Sequence, residues 1–135
     1  MTKLRGRWEI IQNNPTVVAE VAHNEEGIQM LRKKIETLQF QSLRIILGMV
    51  EDKDHSAIFN LLPTNARYYF CASKIPRAFS SSSLQAAAAE FHLQGKAYES
   101  VEEALNQARV NSHQNDLILI TGSIFTVAEI LPPDD

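Results

Sequence analysis

Cysteine is almost missing: Cys71 is the single one in 135 residues, so no internal disulfide forms. That fits a reducing compartment and makes the cytoplasm the expected location. A surplus of basic charge is missing too. Thirteen Lys and Arg stand against 16 Asp and Glu, for a formal charge of -3, and the cations are scattered rather than gathered into a stripe. No nucleic-acid partner is expected from such a pattern. Nor is there a long hydrophobic run. The longest apolar stretch, Leu117 to Leu131, is broken by Thr121, Gly122, Ser123 and Glu129, and no apolar h-region follows the basic N-terminus. A membrane span and a signal peptide are both unsupported. What remains is one compact domain, long enough to bury a core but short for a complete multi-substrate enzyme.

The motifs of self-sufficient catalysis are also lacking. There is no GxxxxGK[ST] phosphate loop, no GxGxxG, no HExxH, no pair of zinc-binding cysteines and no GxSxG nucleophile elbow. If such a chain serves an enzyme, it supplies one wall of a site.

What is present is an alternation. "TVVAEV" reads as a strand, and Ile28, Leu31, Ile35 and Leu38 follow at helical spacing; "LRIILGM" is a second strand, followed by a segment carrying Ile58, Leu61 and Leu62. The pattern continues through "ARYYFC", a helix over about 83–91, a short strand near Ala97 and Tyr98, and a helix carrying Val101, Leu105 and Ala108. It ends with the strand "LILIT" and a helix over about 123–130. The strands are nearly all apolar, as in sheets covered on both faces. The class is therefore α/β: a Rossmann-like three-layer α/β/α domain over residues 1–135, with a mostly parallel sheet of about six strands and right-handed crossovers. Ahead of it, "RWEIIQ" alternates like a strand and meets the turn signal Asn13-Asn14-Pro15, which predicts an antiparallel N-terminal strand. "FSSSS" before "LQAAAAEF" reads as a loop with a serine N-cap.

Open α/β sheets bind ligands beyond the carboxyl ends of their strands, where helix N-termini converge. The loops there carry Glu20, His23 and Asn24; then "GMVEDKD"; then "CASKIPRA"; then "TGS". Three are charged and the fourth opens a helix, which suits an anionic ligand. Each also has a plainer use. His23 and Asn24 either reach a ligand or only cap the helix starting near Glu25, and Asp54 and Ser123 are candidate caps as well. Lys74 and Arg77 are ligand groups or surface charge. Cys71 reads as a buried structural thiol.

Five stretches in order, "LRGRWEII", "TVVAEVAHNEEGI", "ILGMVEDKD", "IPRA" and "LILITGSIFTVAEIL", resemble the C-terminal domain of the folylpolyglutamate and dihydrofolate synthases of the Mur ligase superfamily. The most specific parts are "AEVAHN", set against a family pattern D-x-(A/G)-H-N, the G-x-x-x-D-K-D loop "GMVEDKD", and the closing T-G-S-x. The resemblance implies that the chain is part of a larger two-domain ligase with Met1 as an added start. An N-terminal ATPase domain then carries the phosphate loop and the Mg2+ ligands, while this smaller domain closes over ATP. The family reaction joins glutamate to a pteroate or folyl carboxylate through an acyl phosphate, so ATP, glutamate and dihydropteroate or folate are the implied partners.

Carried over residue by residue, the resemblance sets Arg7 near the ATP phosphates and Glu20 at the ribose. His23 and Asn24 fall near the phosphates, with His23 the residue implied in catalysis, and Lys53 and Ser123 fall toward the incoming glutamate. Glu20 departs from the family aspartate by one methylene, which puts the ribose contact in question. The competing reading is a stand-alone non-catalytic α/β module that senses a nucleotide or regulates. A phosphorylated receiver domain is a weaker form of it, since Asp52 does not stand where such domains need their aspartate.

Overall fold

The computed structural model describes residues 6–51 and 55–131. In chain order it runs β1 (Glu9–Gln12), β2 (Thr16–Val21), α1 (Glu25–Glu36), β3 (Leu43–Gly48), α2 (Ser56–Leu61) and β4 (Arg67–Phe70). It continues with α3 (Ser81–Ala89), β5 (Gly95–Ala97), α4 (Val101–Asn111), β6 (Leu117–Gly122) and α5 (Ile124–Ala128). The strands form one sheet in the order β1-β2-β6-β3-β4-β5. β1 is antiparallel to β2, and all the other pairings are parallel. This is the three-layer α/β/α arrangement expected.

Alternate strand residues feed two separate cores. Val18, Ile45, Leu47, Tyr68 and Leu119 pack under α1, α2 and α3. Val17, Ala19, Ile46, Tyr69 and Ile120 pack under α4 and α5. Ile45, Ile46 and Leu47 are successive residues at 0% exposure, so both faces of β3 are covered. That is why the strands show no polar alternation: each face stabilises the fold by removing its apolar side chains from water, at roughly 1.5–3 kcal/mol for a fully buried aliphatic residue.

The helices begin where a side chain satisfies a free amide. Asn24 accepts from the Gly27 N–H at 2.8 Å, Ser100 from the Glu103 N–H at 3.0 Å, and Ser80 from the Ser83 N–H at 3.3 Å. Because Ser80 is the serine that caps, α3 starts two residues earlier than its apolar pattern suggests. β5 ends at Ala97 and begins at Gly95, where a Cβ would sit 1.8 Å from the Tyr68 carbonyl oxygen. That close approach has no signature in local periodicity. α5 is shorter than expected, ending at Ala128. The Asp54 cap lies outside the described residues; α2 is preceded by His55, which makes no side-chain capping bond.

Candidate functional site

β6, the last strand, lies between β2 and β3, so three strand ends far apart in sequence meet at one edge. Glu20 lies opposite Thr121, and Gly48 opposite Gly122. The Thr121 hydroxyl donates to the Glu20 carbonyl at 2.5 Å, and the Ser123 N–H to the Gly48 carbonyl at 3.0 Å. Gly122 has φ +115, and a Cβ there would lie 1.9 Å from the Gly48 oxygen. Only a glycine lets β6 turn this tightly against β3 and deliver Ser123 to the edge.

Two adjoining clefts open beyond these ends. The first, about 530 Å³, is lined among others by Arg7, Glu20, His23 and Asn24. The second, about 370 Å³, is lined among others by His23, Arg77, Ser123, Ile124 and Phe125. His23 and Val21 belong to both, so the exposed His23 ring stands on the ridge between them. Of the residues singled out in the sequence, Arg7, Glu20, His23 and Asn24 come together in one cleft, and Ser123 joins His23 in the next. Lys53, with Asp52 and Asp54, lies outside the described residues.

Arg7 reaches the edge because the chain ahead of β1 folds along β2, where the Val21 N–H donates to the Gly6 carbonyl at 2.6 Å. Its guanidinium, 63% exposed, stands 3.9 Å from the Glu20 carboxylate, which is 19% exposed. Burial pushes the Glu20 pKa up, and the Arg7 charge, a hydrogen bond from the Trp8 backbone and the Lys34 charge offset this only in part. Asn24 is the cap of α1, so its carboxamide oxygen is already engaged by Gly27. Ser123 is a cap as well. It is 6% exposed, its Oγ accepts from the Thr126 N–H at 3.2 Å, and it lies 3.1 Å from the Thr126 hydroxyl. Both capping readings therefore hold, without removing either residue from the cleft walls.

The loop after β4 is tied to the loop after β3 by an antiparallel bridge between Val50 and Ala78. The Glu51 N–H donates to the Arg77 carbonyl at 2.7 Å, and the Phe79 N–H to the Met49 carbonyl at 2.9 Å. This bridge brings Arg77 into the cleft with Ser123, whereas Lys74 stays at the exposed surface, its N–H bound to the Glu129 carboxylate at 2.5 Å. Sequence reasoning missed His55. Its Nε2 donates to the Val50 carbonyl at 2.7 Å and its ring stacks on Phe79 with centroids 4.7 Å apart, holding the start of α2 beside this loop. Nothing local in the sequence sets that histidine apart.

A larger cleft of about 740 Å³ opens elsewhere, toward the amino ends of β2 and β6, lined by residues such as Ile10, Thr16, Phe40 and Asn115. It holds none of the candidate site residues Arg7, Glu20, His23, Asn24 and Ser123. Among the described residues, no group of three or more His, Cys, Asp or Glu side chains is placed to hold a metal, and no helix is long and apolar enough to cross a membrane.

Residues 6–124 match the family model described as Mur ligase, glutamate ligase domain. The dihydrofolate synthase/folylpolyglutamate synthase of Escherichia coli (strain K12) is 29% identical over 131 residues, which cover 95% of this chain and 30% of that protein. A probable bifunctional folylpolyglutamate synthase/dihydropteroate synthase of Haloferax volcanii is 31% identical over 127 residues, 92% of this chain and 15% of the relative. Among solved structures, a bifunctional folylpolyglutamate synthase/dihydrofolate synthase from Yersinia pestis complexed with AMPPNP and Mn ion is similar at a TM-score of 0.84 and 26% identity, over 95% of this chain and 30% of that one. The chain thus spans 30% or less of the length of these relatives.

Proposed function

The chain belongs to the Mur ligase family as a glutamate ligase domain, and from that premise we propose that residues 1–135 are the C-terminal domain of a larger, cytoplasmic, two-domain ligase. The reaction is ATP-dependent addition of glutamate to dihydropteroate or folate. The substrate carboxylate attacks the γ-phosphorus of ATP, releasing ADP and forming an acyl phosphate. The glutamate amine then attacks the acyl carbon, loses a proton and expels phosphate. The observation that carries this reading is the gathering of Arg7, Glu20, His23 and Asn24 along one cleft beyond the carboxyl ends of the strands. Mg2+ neutralises phosphate charge in such reactions. This reading assigns its ligands to the N-terminal ATPase domain, as the family resemblance implies.

In this reading the Arg7 guanidinium and the His23 ring give charge or hydrogen bonds to the phosphates at the start of α1, and His23 is the catalytic group of this domain. Asn24 fixes that helix start as its cap. Glu20 accepts from the ribose hydroxyls. Ser123 and Lys53 serve the glutamate, and Arg77 offers a second cation to its carboxylates from the wall it shares with Ser123. Closure of the two domains keeps water from the acyl phosphate.

Glu20 lines the cleft beside Arg7, and this reading gives its carboxylate to the ribose hydroxyls. Burial raises its pKa, so its ionisation costs the fold stability as pH rises from the unfolded value of about 4 through the folded one. Glu20→Ala in the ligase is expected to raise the KM for ATP by about ten- to a hundredfold, the loss of a buried hydrogen-bond partner, with the KM for glutamate almost unmoved. Steady-state kinetics with each substrate varied provide the test, and an unchanged KM for ATP would take Glu20 out of the site.

A further inference from the structure

Position 55 precedes α2, where Ser, Thr, Asp or Asn would accept a hydrogen bond from a free helix amide. His55 stands there and makes no side-chain capping bond. Its ring turns back along the chain instead, and Nε2 donates to the Val50 carbonyl at 2.7 Å. A histidine used in this way serves the loop after β3 rather than the helix it introduces.

Two aromatic neighbours hold the ring. It stacks on Phe79 with centroids 4.7 Å and planes 13° apart, and on Phe59, one turn along α2, at 5.8 Å. Phe59 is 2% exposed and packs on Phe91 at 5.4 Å, so the aromatic group is rooted in the core. Phe79 belongs to the loop after β4 and Val50 to the loop after β3, and these loops pair as a short ribbon. The Val50–Ala78 bridge lies at its centre, flanked by the bonds from the Glu51 N–H to the Arg77 carbonyl and from the Phe79 N–H to the Met49 carbonyl. His55 therefore grips both strands of the ribbon, one by a hydrogen bond and the other by stacking. Arg77 stands on that ribbon two residues ahead of Phe79, and it lines the cleft with His23 and Ser123.

We propose that His55 is a positioning residue for Arg77: by fastening the ribbon to the core, its ring sets where the guanidinium stands in the cleft. The proposal rests on the assignment of this wall to glutamate. A pair of segments this short is marginal by itself, and a long side chain finds one ligand group only from a backbone that stays in place. The bonds and stacking of His55 reach Val50, Phe59 and Phe79, none of which lines the cleft that holds Glu20. Loss of the ring is thus felt on the glutamate side and not on the nucleotide side.

Amide hydrogen exchange in the 135-residue chain tests the ribbon directly. In His55→Ala it is expected to run at least about tenfold faster at Glu51 and Phe79, and to stay unchanged at Ser123, whose N–H bonds to the Gly48 carbonyl. In the ligase, His55→Ala should raise the KM for glutamate about five- to tenfold and leave that for ATP within about twofold. His55→Gln, whose carboxamide nitrogen replaces Nε2 as the donor, should recover most of the loss. Arg77→Ala should raise the glutamate KM by itself, and adding His55→Ala to it should bring little more, since both remove the same contact. If His55→Ala does not fold, His55→Phe, which keeps a stacking ring and loses the donor, takes its place in each comparison. A role confined to stability lowers the yield of active enzyme with both KM values unmoved, and unchanged exchange at Glu51 and Phe79 means that the ribbon stands without the ring; either result overturns the proposal. If Arg77→Ala raises the glutamate KM and His55→Ala does not, the glutamate assignment stands and the proposal falls. If Arg77→Ala leaves that KM unmoved, both fall.

Discussion

Replacing Gly122 by alanine tests the geometry that creates the site edge. At φ +115 an L-residue is strained, and its Cβ would sit 1.9 Å from the Gly48 carbonyl oxygen, a backbone atom without freedom to rotate away. The strands must therefore separate at their ends, which also breaks the 3.0 Å bond from the Ser123 N–H to that oxygen. Backbone strain of about 1–3 kcal/mol and a lost buried hydrogen bond of about 1 kcal/mol, with some local repacking, give an expected destabilisation of about 3–5 kcal/mol. Urea denaturation of the chain followed by circular dichroism should show the midpoint falling by about 2 M. Gly27→Ala is the control. Its Cβ meets nothing nearer than Asn24 Oδ1 at 3.2 Å, and the helix propensity gained offsets that contact, so its stability should change by less than about 1 kcal/mol. If Gly122→Ala also loses less than about 1 kcal/mol, the tight turn against β3 is not what holds Ser123 at the edge.

Asp116, with its side chain wholly buried, accepts from the Ser42 hydroxyl at 2.9 Å, the His113 N–H at 3.0 Å and Arg44 Nε at 3.4 Å. Burial pushes its pKa up, but the His113 amide, Ser42 and the Arg44 guanidinium outweigh this and hold it below the usual carboxylate value. Its contribution is thus present above the unfolded-chain value of about 4 and lost as pH falls from there through the folded value. Asp116→Asn should cost about 2–4 kcal/mol in denaturation at pH 7 and show a shallower stability loss between about pH 4 and pH 2, whereas an unchanged acid slope would assign that loss to other carboxylates. Burial, with Glu129 adding to it, pushes the Cys71 thiol up to about 12. A chromogenic disulfide reagent at pH 8 should leave Cys71 unmodified in the native chain and label it once urea unfolds the protein; rapid native labelling would contradict its burial. In the intact ligase, His23→Ala should lower kcat by at least about tenfold with less than about 0.5 kcal/mol of stability lost, since the exposed ring packs little. Normal turnover beside a clear loss of stability would make His23 structural.

The local content of this chain was legible because it is written in short-range physics. The mostly apolar runs at Thr16–Val21, Leu43–Gly48 and Leu117–Gly122 reveal strands buried on both faces. Asn24 before Glu25 is a cap whose partner lies three residues away, the serine run before α3 signals a cap without saying that Ser80 is the one, and the order of strands and helices implies a parallel sheet. The tertiary structure alone decided which strand ends are neighbours. β6 enters between β2 and β3, which sets Gly122 against Gly48 and Ser123 beside His23 across about a hundred residues of chain, and no periodicity encodes that insertion. The Val50–Ala78 bridge brings Arg77 to the cleft, and stacking on Phe79 gives His55 its place. Trp8 meets Lys34 because the first strand runs antiparallel along β2, the strand that leads into α1. Short-range patterns follow from backbone period and amide satisfaction within a few residues. The meeting of distant side chains depends instead on how two apolar cores close around one sheet, a property of the whole chain that no single segment carries.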